Sequence, residues 1–168
     1  MKTRLVFDQC AGILFQPTLY FSSSEDKLDF SDGTVFVLLM ALAKVLLASL
    51  GIGPVLGGST AGVLTLFLAP GAAIAGTFTG AGIILFVCRG LRGHGDYGDA
   101  FAVAAALSVL LPIGQAFTSL PLLGPLLIMS WAWWIVSRGA IQVFHVAPQR
   151  ANAGFAVIYA ALAILSFL

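Results

Sequence analysis

The sequence predicts an all-α fold: a polytopic membrane bundle of five transmembrane helices preceded by an N-terminal amphipathic helix lying at the bilayer interface. Three observations predict it. Hydrophobic residues make up 60% of the 168-residue chain and charged residues 9%, against roughly 25% charge in an ordinary soluble domain. Several apolar runs approach the roughly 20 residues that cross a bilayer as helix. These runs do not alternate: Val35 to Ala43 is continuously apolar, whereas a transmembrane barrel needs alternating strands of roughly ten residues.

Residues 3–15 set Leu5, Val6, Phe7, Cys10, Ile13 and Leu14 beside Arg4, Asp8 and Gln9. That mixture predicts a helix on the membrane rather than across it. Pro17 disfavours helical geometry at Gln16 and ends or bends that helix. Thr18, Tyr20 and Phe21 are then expected at headgroup depth, and residues 22–29 form a polar turn. The chain divides into this interfacial region, 1–33, and a membrane domain, 34–168.

The first crossing is expected from Thr34 to Ser49, with Ser31 and Asp32 capping its first amides. Gly51, Gly53 and Pro54 end it. Residues 59–90 would measure about 46 Å as one helix against a hydrocarbon core of about 30 Å. A break is therefore expected at Pro70-Gly71, separating a short tilted piece, Ser59 to Ala69, from a second crossing, Gly71 to Cys88. Ala72, Gly76 and Gly80 stand four apart on that crossing. Small residues at this spacing form a seam that lets another helix backbone approach, which predicts a central place in the bundle.

The third crossing, Ala100 to Ala116, contains Pro112, which removes a backbone donor and is expected to kink it. A turn near Thr118 to Pro121 leads into the fourth, Leu122 to Gln142, which carries Trp131, Trp133 and Trp134. Trp131 and Trp134 share a face and Trp133 does not, a division expected of packing on one side and interface anchoring on the other. The fifth crossing is Asn152 to Leu168.

Five crossings gather Lys2, Arg4, Lys27, Arg89, Arg92, Arg138 and Arg150 on or beside one face, while residues 51–60 and 115–121 on the other carry no charge. Basic loops stay on the cytoplasmic side, so the N-terminus is expected inside and the C-terminus outside. Cys10 and Cys88 fall near that inner interface, where thiols stay reduced, and read as small apolar fillers.

A net charge of +1 supplies no basic field for nucleic acid. His94, Asp96, Asp99 and His145 are the inner-face groups whose chemistry suits a divalent metal, but their spacing matches no ligand motif, and they read as solvated loop residues and caps. An acidic side chain at Asp96 or Asp99 suits the positive end of the third crossing. The glycine-rich stretches 51–54 and 90–95 follow no strand and hold no phosphate-binding lysine. No catalytic set and no cofactor site is expected. Lys44, inside the first crossing, is the single charge with no place in water. It either snorkels toward the outer headgroups or meets a polar partner such as Gln115, so these two residues mark the candidate intramembrane polar or partner site.

From Gly93 the pattern reads Gly93-His-Gly-Asp-Tyr-Gly-Asp-Ala-Phe101, then Pro112, Pro121-Leu-Leu-Gly-Pro125, Trp131, Gly139, His145-Val-Ala and Arg150-Ala151, and Ile13 to Phe21 precedes the first crossing. This pattern resembles the Yip-domain family of five-span membrane proteins, named for interaction with Rab-type GTPases. The long cytoplasmic N-terminal region of eukaryotic members is missing, so the chain is similar to the short bacterial members. That resemblance implies a bacterial inner membrane, does not carry over Rab binding and implies no defined activity.

Two function classes follow. In the favoured one the protein is a non-enzymatic organiser or accessory subunit, docking other membrane proteins or itself through the glycine seam and the inner loops. In the alternative it forms a small-solute or lipid pathway lined by Lys44, Gln115 and the broken second helix. The favoured class rests on how few polar groups lie near the midplane, where transport sites usually cluster several.

Overall fold

A computed structural model describes residues 3–23, 28–50, 59–117, 120 and 123–166, with side chains for all of these except 3–5, 59–67, 165 and 166. The helix-ending Gly51, Gly53 and Pro54, residues 24–27 of the polar turn and residues 118, 119 and 121 of the later turn lie outside the described residues. Among the described residues all regular structure is helical: α1 (Thr3–Phe15), α2 (Pro17–Ser22), α3 (Phe30–Ser49), α4 (Ser59–Gly90), α5 (Tyr97–Leu107), α6 (Leu110–Phe117), α7 (Leu123–Gln142) and α8 (Pro148–Ser166). Three stretches are long and apolar enough to cross a membrane: Phe30–Ser49, Leu68–Gly90 and Tyr97–Phe117.

The core forms around α5, in which every residue from Ala100 to Ala106 is buried. Five alanines in that run let α3, α4 and α7 close around it, because a methyl side chain keeps backbones near one another. The expected centre, the second crossing, is instead peripheral. Buried residues make up 17% of the Leu68–Gly90 stretch, compared with 61% for Tyr97–Phe117. The small-residue packing expected of Ala72, Gly76 and Gly80 is carried by α5.

Four aromatic rings join the N-terminal ends of α3 and α5 to α4. Phe30 stacks on Tyr97 at 6.1 Å, and Phe101 meets Phe30 at 4.8 Å and Phe78 at 4.9 Å. The Tyr97 hydroxyl donates to the Phe78 carbonyl at 2.7 Å.

The first helix matches the expected limits but not the expected placement. α1 and α2 form a hairpin against the bundle: the Trp131 indole donates to the Leu14 carbonyl at 3.1 Å, and Phe15 meets Trp131 edge-on. α2 then follows α7, with Phe21 beside Gly139. Tyr20 and Phe21, 7% and 1% exposed, are therefore buried against the bundle. Pro17 explains the reversal, because it stops α1 and starts α2 at a position where its missing amide costs nothing.

Two further expectations are corrected. The cap of α3 is Asp29, whose carboxylate accepts from the Asp32 amide at 2.7 Å, so the helix starts one turn earlier than Ser31-Asp32 would place it. Pro70 does not divide α4, which is helical from Ser59 to Gly90. Membrane helices tolerate such prolines because neighbouring groups or small local adjustments satisfy the freed carbonyl.

The Pro112 kink is present, one turn ahead of the proline. A proline at 112 gives no amide to the Ser108 carbonyl, and the Leu111 amide takes that carbonyl instead at 2.9 Å. The Ser108 and Val109 amides turn to Ala105 and Ala106, tightening the chain between α5 and α6.

Candidate functional site

Lys44 and Gln115 line the same cleft, between α3, α6 and α7, with a volume of about 500 Å³. That size falls in the range of ligand pockets, roughly 300–1,000 Å³. The cleft has apolar walls, including Leu110, Leu111, Phe117 and Ile128. Its polar groups are unequal: Lys44 is exposed, while Gln115 is 6% exposed. The α5–α6 break aims Gln115 inward, and Gly114 leaves room beside it, since a Cβ there would meet nothing within 4 Å. The cleft reaches the connection between α6 and α7, where Gly124 is obligatory because a Cβ would run into the Phe117 carbonyl. The sequence marked Lys44 and Gln115 by their polarity, but nothing in it marked Gly114 or the leucine walls.

At the opposite end, α4 closes in a Schellman motif. Gly93 N–H bonds the Cys88 carbonyl at 2.8 Å, Arg92 N–H bonds Arg89 at 3.0 Å, and Arg92 takes the left-handed conformation with φ 65°. The His94 amide then bonds the Phe144 carbonyl at 2.8 Å, tying the loop after α4 to the loop after α7. Gly95 must be small, since a Cβ would approach the Phe144 ring to 2.6 Å.

Asp96 and Asp99 form a reciprocal capping box at the start of α5. Asp96 Oδ1 accepts from Asp99 N at 2.9 Å and Asp99 Oδ2 accepts from Asp96 N at 3.1 Å. Both carboxylates therefore hold a helix start. His94 and His145 are exposed, and no group of three or more potential metal ligands occurs among the described residues. The tryptophans hold helices together: Trp131 reaches α1, and Trp133 donates to the Asn152 carbonyl at 3.2 Å in α8.

The seam on α4 makes no close contact among the described residues, although Gly80 lines a small pocket with Leu107, Val136 and Phe155. A Cβ built at Gly76, Gly80 or Gly82 would meet nothing within 4 Å, and Ala72 and Gly76 are exposed. The expected backbone contact along Ala72, Gly76 and Gly80 is thus absent among the described residues, and the buried positions of α4 are Ala81, Ile84 and Cys88 instead.

The motif residues of the 93–101 loop thus have structural duties: backbone pairing at His94, close packing at Gly95, capping at Asp96 and Asp99, and a cross-helix bond at Tyr97. A family model, the Yip1 domain, matches residues 11–168. The chain belongs to the Yip1 domain family. No curated protein and no solved structure matches it. The Yip1 match begins within α1 and takes in both the hairpin and the cleft.

Proposed function

We propose that this Yip1-domain protein is a non-enzymatic organiser or accessory subunit, which docks other membrane proteins or a second copy through the seam on α4. One observation carries the reading. The glycines inside the bundle are spent on contacts, as at Gly33 against Phe101 and Gly139 against Val103, whereas Gly76 is exposed on a stretch of apolar helix and Gly80, half-buried, has nothing within 4 Å of a Cβ. Backbones that approach along such a seam gain close packing, which drives helix association where lipid removes the hydrophobic advantage.

The reading takes α7 and α8, 20 and 19 residues long, as fourth and fifth crossings beside the three candidate spans. Arg138, Gln142 and the tryptophans lower the hydropathy of α7, yet 20 helical residues span about 30 Å. Basic residues near the helix ends favour a cytoplasmic N-terminus in a bacterial inner membrane. A cysteine at the exposed His94 shielded from an impermeant reagent outside intact cells, with one at Ser119 reactive, is the expected labelling pattern; the reverse pattern overturns the orientation.

Native purification tests the docking role. A partner or second copy should accompany the unaltered chain at fixed stoichiometry and be lost from Gly76→Leu, whose own thermal stability in detergent should not change. Retention of the same companion by Gly76→Leu and Gly80→Leu would remove the seam from the reading. A small-solute or lipid pathway is the second reading, favoured by the cleft that Lys44 and Gln115 share.

A further inference from the structure

We propose that the α3–α6–α7 cleft is a binding site for an anionic glycerophospholipid, with one acyl chain between α6 and α7 and the headgroup phosphate on Lys44. The inference deepens the second reading above and is independent of the seam on α4.

Charge complementarity selects the occupant. Lys44 is exposed and lines the cleft, and among the described residues it has no ion-pair partner. All seven acidic residues fall in stretches 8–32 and 96–99. Of the described ones, Asp29, Asp32, Asp96 and Asp99 hold the starts of α3 and α5, where Phe30 and Tyr97 stack, and Asp8 lines a separate pocket with Gln9 and Tyr20. No carboxylate among the described residues therefore pairs with the lysine. A protein partner would have to bury an acid in hydrocarbon at a cost of several kcal/mol. A phospholipid carries its anion at the interface together with a chain for the apolar walls. Lys44 stands five residues before the end of α3 at Ser49, or about 8 Å along the helix axis, a rise that a lysine stem largely spans while its body stays on apolar surface.

The walls complete the fit. Leu110, Leu111, Phe117 and Ile128 present hydrocarbon, and Gly114 leaves an opening rather than a ridge. A lysine that only snorkelled would need no such volume beside it.

Tryptophan fluorescence of the full chain in vesicles reads the site, since all three tryptophans are on α7, whose Ile128 and Ala132 line the cleft. The probes are brominated phosphatidylglycerol and brominated phosphatidylcholine, each at a low fraction in unbrominated phosphatidylcholine. The expected result is about fivefold stronger association of the anionic lipid, the scale of one lysine at a membrane surface. Lys44→Gln should abolish that preference and Lys44→Arg should keep it. Gly114→Phe, which retains the charge but fills the cleft, should also abolish it. Equal quenching by both lipids in the unaltered chain, or an undiminished preference in Lys44→Gln, overturns the proposal. A preference retained in Gly114→Phe overturns the role of the cleft. Displacement of the brominated phosphatidylglycerol by equimolar oleate assigns the site to a free fatty acid and overturns the phospholipid. Selective binding without lipid movement between leaflets sinks the pathway reading and leaves the site standing.

Discussion

Trp131 Nε1 donates to the Leu14 carbonyl at 3.1 Å, joining the tip of the α1–α2 hairpin to the middle of α7. Leu14 is in the last turn of α1, where carbonyls have no partner within the helix. Trp131→Phe keeps the ring contact with Phe15 but leaves that carbonyl unsatisfied. The expected loss is about 1–2 kcal/mol, read as a lower thermal midpoint in detergent and faster amide exchange in residues 3–22. Unchanged exchange there would show that α1 is held by packing alone.

The capping box at α5 gives a second prediction. Asp96→Ala should cost about 1 kcal/mol and Asp96→Asn much less, because asparagine also caps well. Each carboxylate accepts from the other residue's amide, so Asp96→Ala and Asp99→Ala should not add. The double variant should lose measurably less than the sum. Strict additivity in thermal denaturation would mean that the two caps act independently.

Legibility in the sequence divided by the kind of force involved. The class of fold, α1 from Thr3 to Phe15 and a kink at Pro112 were readable, because hydropathy and proline geometry are local properties of the chain. The pairing of Lys44 with Gln115 in one cleft was anticipated from polarity alone, since an apolar span makes any polar side chain conspicuous. Placement against neighbours was not readable. Ala72, Gly76 and Gly80 are no larger than the alanines of α5, and only the packing of α3, α4 and α7 decides which run becomes the centre. The hairpin was hidden for a related reason: Val6, Ile13 and Phe21 suit a lipid interface and a protein core alike, and the bond from Trp131 that chooses the core joins residues far apart in the chain.

The glycines offer a contrast that tests packing directly. Gly95→Ala should destabilise the protein by about 1–3 kcal/mol, because its Cβ would stand 2.6 Å from the Phe144 ring. Gly76→Ala should leave the isolated chain unchanged or up to about 1 kcal/mol more stable, since alanine favours helix and nothing lies within 4 Å. Thermal midpoints of the two variants in the same detergent decide this. Comparable losses would mean that Gly76 is packed after all.

The break between α5 and α6 sets the direction of Gln115, and Pro112 is its cause. With no amide at 112, the Ser108 carbonyl is left to Leu111, and the Ser108 and Val109 amides shift to bonds three residues back. The Ser108 hydroxyl donates to the Ala105 carbonyl at 2.7 Å and steadies the turn. Three residues per turn in place of 3.6 advances the chain by about 20° more per residue, so two such residues rotate α6 by about 40°. Pro112→Ala restores the donor and allows one continuous helix, which swings residue 115 out of the cleft and weakens the wall opposite Lys44. A cysteine at position 115, buried in the unaltered chain, should then react several-fold faster with a membrane-permeant maleimide. A cysteine at the exposed Ala116 should slow in the same background. If both positions keep their original reactivities in Pro112→Ala, the turn is held by Ser108 and the surrounding packing, and the proline only tolerates it.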